Sequence, residues 1–356
     1  MAAGSVFPMS AARAGDQRRD TLRVLFVVPG VAAGNSMVFA RRQAESLVAE
    51  GLAVEVFDLR SRTSPRVLWS EFLRFRRLVG TFRPQVIHAH YGTMTAMFAV
   101  LAAGKLPLMI TYRGSDLNPL PSARRLRPAA GRLLSQLAAL RASRIVCVSP
   151  QLRDRLWWRR ARATVLPSGV DAEVFKPLPQ GEMRRQLGWR QQDRIVLFNA
   201  GGEGRNKRLD LAQAATAQAR CRVPALRLEV LDGNVPPERI PAMMNAADCL
   251  LVTSDAEGSP TVVQEALATN LPVVSVEAGD IALRLSGVAN SRIAPRDAQA
   301  LGSALAEMLT PPRRSDGRRR VPEFSSQRIA RELGRLYRET VREPEKKRRP
   351  AESRDA

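Results

Sequence analysis

A chain of 356 residues is too long for one ordinary α/β core and fits two, at roughly 100–200 residues per domain. Hydrophobic residues make up 45% of it, so burial is possible throughout, yet no stretch reaches the roughly eighteen uninterrupted apolar residues of a spanning helix, which excludes a protein that crosses a bilayer. The net charge of +22 favours anionic partners such as acidic lipid, a pyrophosphate ligand or nucleic acid, and arginine-rich genomic composition is the alternative source of it.

Residues 1–20 are small, polar and basic without the apolar run of a secretory signal, and read as a disordered leader. Leu22–Pro29 is a continuous apolar run, followed by the turn Gly34-Asn35-Ser36 and a helical stretch from Met37 to Glu50. Strand, glycine loop and helix open a doubly wound domain. Gly34 would let backbone approach a phosphate or sugar closely, or is an ordinary turn glycine. Further buried-strand patterns at Ala53–Phe57, Val86–His90, Leu108–Tyr112 and Ile145–Ser149 suit parallel strands covered on both faces.

Between the second and third of these, Arg66–Arg83 carries Leu68, Phe72, Phe75, Val79 and Phe82 at alternating four and three spacing, beside Trp69 and several arginines. That pattern fits a basic amphipathic helix on an anionic membrane, and equally a helix covering its own sheet. His88 and His90, the only histidines, share one strand face by alternation. They lack a nearby acidic or cysteine partner for a metal and read as a cleft-facing or hydrogen-bonded pair.

Val165–Pro177 is punctuated by Pro167, Gly169 and Pro177 and marks the hinge, which predicts domains over residues 21–170 and 171–310. A second strand and helix cycle runs through Arg194–Ala200, Leu226–Leu231, Cys249–Thr253 and Pro272–Val276. Cys147, Cys221 and Cys249 are odd in number and widely spaced, as expected of reduced thiols without a disulfide framework or zinc site. Residues 311–356 read as a basic tail containing one helix over residues 326–342, expected to return toward the first domain, with disorder beyond Pro344.

The chemistry concentrates in Ser254–Thr269, directly after a strand. Ser259 as N-cap and Pro260 as first helical residue predict a helix ending near Asn270, whose amide end faces the carboxyl edge of the sheet, where a pyrophosphate would sit. Glu257 precedes the helix and Glu265 lies within it, eight positions on. Two carboxylates beside an anion site need hydrogen-bond donors, and sugar hydroxyls supply them. Taken singly, a solvated loop charge and a surface helix residue are the alternatives.

The segment EGSPTVVQEALATNLPVV resembles the glutamate-pair motif of family 4 glycosyltransferases of the GT-B fold, matching it at Glu257, Gly258, Pro260, Glu265, Ala266, Pro272, Val273 and Val274. VIHAHYG, TYRGSDL, SRIVCVSPQLRDRL and VLPSGVDAEVFKP resemble further family segments in the same order, so the likeness spans Leu22 to Arg342. It implies two Rossmann-like doubly wound domains facing across a cleft, an acceptor domain first and a donor-nucleotide domain second. It also implies transfer of a hexosyl-type sugar with retention from a nucleotide diphosphate sugar, taken as a UDP-sugar, to a glycan or polyprenol-linked acceptor. The likeness is greatest to members that build capsular, teichuronic-type and exopolysaccharide chains.

By the same resemblance Glu265 holds the ribose hydroxyls and Glu257 the donor sugar. Gly258, Ser259, Pro260 and Thr261 line the donor site, while Lys207 and Arg205 neutralise the diphosphate. One departure stands out: Arg113 replaces the histidine that many relatives carry, and a guanidinium cannot accept a proton. Arg113 is therefore expected on a phosphate or an acceptor hydroxyl, with His88, His90 and Asp116 toward the acceptor or cleft. No Asp-x-Asp pair is placed to hold a divalent ion, so activity without a metal or other cofactor is expected. The reading places the protein in the cytoplasm, peripheral on the inner membrane face, with no nucleic-acid partner. A nucleotide-sugar epimerase of the same fold and, less favoured, a basic nucleic-acid-binding protein are the rival readings.

Overall fold

The computed structural model describes residues 21–30, 37–119, 126–201 and 204–348. The first sheet is built from β1 (Arg23–Pro29), β2 (Ala53–Leu59), β3 (Val86–His90), β4 (Leu108–Tyr112), β5 (Arg144–Cys147) and β6 (Ala163–Val165). Its spatial order is β2-β1-β3-β4-β5-β6, all pairs parallel. The intervening helices are α1 (Val38–Ala49), α2 (Pro65–Phe82), α3 (Thr93–Ala102), α4 (Leu126–Arg141) and the short α5 (Pro150–Asp154).

Alternation along β1 sends Val24, Phe26 and Val28 to one face and Leu25 and Val27 to the other, and each set joins a separate core. Parallel strands covered on both faces need such unbroken apolar runs. Helices α2, α3 and α4 cover the Leu25 face, where Phe57, Phe75 and Ala99 are fully buried.

The apolar stripe of α2 is thereby accounted for. Phe75 is fully buried and Leu68, Phe72, Val79 and Phe82 pack against the same core, so the side of α2 expected on a membrane is occupied by its own sheet. Ser64 caps α2 through its side chain, with Pro65 at the first position. Glu71, fully buried on this helix, takes Arg60 at 2.7 Å and Arg74 at 2.5 Å. Burial alone would raise its carboxyl, but hydrogen bonds from Arg74 and Arg60 outweigh that and hold it below its ordinary value.

The second sheet contains β7 (Arg194–Asn199), β8 (Leu226–Leu231), β9 (Cys249–Val252), β10 (Val273–Ser275) and β11 (Arg292–Ile293), in parallel order β11-β10-β9-β7-β8. Its helices are α6 (Gln180–Leu187), α7 (Gly204–Lys207), α8 (Leu209–Arg220), α9 (Ile240–Ala246), α10 (Thr261–Ala268), α11 (Ile281–Leu285) and α12 (Ala298–Met308). The expected α/β architecture of two parallel sheets is what forms. β6 and β11 were not anticipated, because strands of three and two residues are too short to show a hydrophobic period.

Two crossings join the domains side by side. Val170 N–H donates to Phe324 O at 2.9 Å, and Ser326 N–H to Val170 O at 2.8 Å. Before the second crossing, Val321 and Phe324 pack into the second domain's core. After it, α13 (Ser326–Arg348) lies against α1 and sends Ile329, Leu333 and Tyr337 into the first domain's second core. The helix extends beyond residue 342, where the sequence pattern ends it, and past Pro344, after which disorder is expected. The leader, residues 1–20, and residues 349–356 lie outside the described residues. Among the described residues no helix is long and apolar enough to cross a membrane.

Candidate active site

The two domains meet over the loop that leads from β9 to α10. Pro260, in an extended conformation, is the N-cap of α10 and Thr261 its first residue. The expected Ser259 cap does not form. Ser259 Oγ instead accepts from Gln264 Nε2 at 3.0 Å and bonds the Asp280 carboxylate, which ties the loop to the start of α11. With no side chain capping α10, its amide end is left to the cleft that Thr261 and Val262 line.

That cleft encloses a cavity of about 260 Å³ between the ends of β7 and β8, the start of α1 and the hinge; Phe39, Arg42, Ser168, Asn199, Gly233 and Glu265 are among its lining. Glu265 stands 3.6 Å from Arg42 of the opposite domain. Burial pushes its carboxyl up to about 7, with the Arg42 charge opposing.

Glu257 and Lys207 are brought together outside the cavity lining, Oε1 to Nζ at 2.6 Å and both largely shielded from solvent. Each backbone is fastened independently of that pair. Thr253 Oγ1 donates to Lys207 O at 2.7 Å, Asn206 Nδ2 donates to Ala256 O at 2.9 Å, and Asn118 of the first domain donates to Glu257 O at 2.8 Å. The side chain of Arg205 and the whole of Gly34 lie outside the described residues; the Arg205 backbone belongs to α7.

At Gly258 the domains touch backbone to backbone. A methyl group at its Cα would overlap the carbonyl oxygen of Arg113 and stand 2.9 Å from Val148 Cγ2. Only glycine permits this backbone-to-backbone approach.

Of the remaining candidates, His88, His90 and Asp116 are buried inside the first domain, while Arg113 is partly exposed beside the cleft lining. Arg113 sends its guanidinium behind the cleft lining, to Ser168 Oγ at 2.9 Å, Gln43 Oε1 at 3.2 Å and His90 Nδ1 at 2.7 Å, with its charge 4.2 Å from the Phe39 ring centre. Burial pulls the group down to about 9, the Asp116 charge opposing, so it keeps its proton at neutral pH.

His90 therefore accepts at Nδ1 and is neutral. His88 bonds Tyr337 Oη at 2.6 Å and Thr111 Oγ1 at 2.7 Å. Both rings are fully buried and lie 4.0 Å apart, and burial holds both well below their ordinary value. Asp116, also buried, accepts backbone N–H bonds from Gly92, Arg113 and Gly114. It shapes the loop and does not reach the cleft, as expected of a short carboxylate gripping successive amides. The structure thus groups Glu257 with Lys207 and Glu265 with Thr261, buries His88, His90 and Asp116 within the first domain, and holds the partly exposed Arg113 against Ser168 and Gln43 of the cleft lining. Arg42 and Asn118 were missed, because neither carries a local signal: Asn118 meets Glu257 across 139 positions of sequence.

The Glycosyltransferase Family 4 profile matches residues 31–174 and the Glycosyl transferases group 1 profile matches residues 186–311. The chain belongs to the family 4 glycosyltransferases. It is 26% identical over 245 residues to TuaC of Bacillus subtilis (strain 168), named as a teichuronic acid biosynthesis glycosyltransferase, covering 62% of this chain and 60% of that protein. The match to a D-inositol 3-phosphate glycosyltransferase of Segniliparus rotundus is 29% over 182 residues, covering 42% of this chain and 40% of the relative. The chain thus spans about 60% or less of the length of these curated relatives.

Sucrose-phosphate synthase of Thermosynechococcus elongatus shares the fold with a TM-score of 0.74 at 19% identity, over 90% of this chain and 98% of that one. Anabaena Alr3699/HepE in complex with UDP and glucose does so at 0.68 and 17%, over 89% and 100%. The UDP-GlcNAc 2-epimerase of Neisseria meningitidis lies further off, at 0.58 and 11% over 89% and 100%. These likenesses establish the GT-B fold of this family 4 glycosyltransferase.

Proposed function

We propose that this family 4 glycosyltransferase transfers a hexosyl-type sugar, with retention, from a UDP-sugar to a glycan or polyprenol-linked acceptor in cell-surface polysaccharide biosynthesis, at the cytoplasmic membrane face and without a metal. The carrying observation is the Lys207–Glu257 pair at 2.6 Å, four residues ahead of the uncapped start of α10. The polysaccharide context is supported by the likeness to TuaC, and the donor class by HepE, whose structures hold UDP, glucose and UDP-glucose.

On this reading the acceptor oxygen attacks the anomeric carbon on the face from which the diphosphate leaves. The carbon–oxygen bond to the β-phosphate breaks, and the acceptor proton passes to the departing phosphate oxygen. Negative charge grows on the leaving group, and Lys207 with the α10 amides relieves it. Glu257 accepts from the donor sugar and Glu265 from the ribose hydroxyls. Arg113 is a positioning residue: it braces Gln43 and Ser168, which line the cleft.

The test is a thermal-shift screen of UDP-, GDP- and ADP-sugars in EDTA, since a ligand that binds only the native state raises its melting temperature. UDP-sugars are expected to give the largest rise, followed by turnover with acceptor in the same EDTA buffer. Turnover abolished by EDTA and restored by magnesium would overturn the metal-independent part. Product from donor alone would favour the epimerase.

A pH dependence follows from Glu265. With its carboxyl at about 7, the free protein loses the acceptor form as pH falls through neutrality. Each phosphate of a UDP-sugar stays singly charged in that range, and the buried histidines stay neutral. Donor affinity is therefore expected to weaken from pH 8 to pH 6, approaching about tenfold per pH unit below the carboxyl's value. Glu265→Gln should flatten the profile, and isothermal titration at several pH values checks both.

A further inference from the structure

The charge of this chain is confined to two stretches. Residues 65–165 hold eighteen Lys and Arg against three Asp and Glu, a net +15 of the total +22, and the remainder lies beyond residue 312. Of the three acids, Glu71 and Asp116 are buried and Asp154 is paired with Arg153 at 3.1 Å. Among the described residues of this stretch are the α2, α3 and α4 layer of the first domain and the turn after α5.

Within that layer α4 is unusual. Over residues 128–141 every residue that is exposed is apolar, including Leu133, Leu137 and Leu140 at 46%, 41% and 52%. Its neighbours extend the patch. Thr93 N–H donates to Ser135 Oγ at 2.7 Å and Arg141 Nη2 to Gly104 O at 2.6 Å, which sets α3 alongside α4 and brings Leu101, 70% exposed, to the Leu140 end. On the other flank Trp157, 62% exposed, is held by its N–H on Gln136 Oε1 at 3.0 Å, and Arg159 donates to Leu140 O at 2.8 Å. Exposed Lys105, Arg155 and Arg160 stand on the chain segments that border it.

Single exposed leucines need no explanation, but a contiguous set on one helix does. Leucines and a tryptophan inside a cationic rim are the composition that partitions into a bilayer interface, the rings and aliphatic chains entering the acyl boundary while the cations meet acidic headgroups. A second copy fits poorly, since it would press the same rim of exposed Lys105, Arg155 and Arg160 against this one.

We infer that the outer face of α4, with Leu101 and Trp157, is the seat of this protein on an anionic bilayer. The inference deepens the reading of a membrane-presented acceptor and replaces the buried stripe of α2 as the contact.

The test is co-sedimentation of the full chain with vesicles of phosphatidylcholine alone and with a third phosphatidylglycerol. Binding is expected only to the anionic vesicles, declining as salt is raised, and Leu137→Glu should weaken it by about tenfold or more. Leu137→Gln, a milder change, serves if the charged variant does not fold. The UDP-sugar thermal shift of either variant should match the parent, so a failed donor reading and a failed membrane reading are told apart. The inference is overturned if parent and variant sediment equally, if the parent ignores anionic vesicles, or if without lipid the parent dimerises and Leu137→Glu makes it a monomer.

Discussion

Glu257→Gln is expected to lower kcat by about 10²–10³-fold, equivalent to roughly 3–4 kcal/mol of lost transition-state stabilisation. Lys207→Met should do the same, and the double variant should be little worse than the worse single one, because groups that act as a unit are strongly non-additive. The pair itself, partly open to solvent at 23% and 12% exposure, is worth only about 1 kcal/mol or less to folding. The loops that carry it have their own fastenings at Thr253, Asn206 and Asn118. Steady-state kinetics beside melting curves therefore separate two roles. A pair that merely held the loop would lower the melting temperature and leave kcat in place.

Gly258→Ala is the second large effect. The new methyl group would overlap the backbone oxygen of Arg113, and a backbone atom held in the first domain cannot rotate away as a side chain could. Relief requires that the two domains part, or that the loop carrying Glu257 shift against them. A displacement of about 1 Å in a positioning element can cost roughly 10²-fold, so a fall of that size in kcat/KM is expected. Of the buried cores only the Val148 side chain is met, and a side chain can shift, so the melting temperature should drop by no more than about 2 °C, the equivalent of roughly 1 kcal/mol in a protein of this size. Retention of kcat/KM with a large loss of stability would show that the contact serves folding alone.

How far the sequence reached depends on the range of each interaction. β3, β4 and β8 have the bounds read from their apolar runs, because a strand buried on both faces declares itself within five or six residues. Glu257, Lys207 and Glu265 could be named as candidates because the resemblance rests on short local motifs. Ser259 was misread as a cap: its hydroxyl had a local choice between an amide and a partner on α11, and only packing of the second domain made the partner available.

Arg113 shows the limit most clearly. Its charge was evident from the residue type, but its direction is set by Gln43, His90 and Ser168, which come from three other elements. The α2 stripe is a similar case, since periodicity reveals that a helix has an apolar side without revealing what covers it. By itself the sequence determined which segments become parallel strands and helices, which glycine and glutamates are the candidates, and where charge accumulates. These properties arise among residues close along the chain. Only the tertiary structure decided that Arg42 faces Glu265, that the histidines are sealed from the cleft and that α4, not the stripe of α2, presents leucines to the outside. Those outcomes depend on the order in which distant strands join a sheet, and that order is fixed by the whole set of buried surfaces at once.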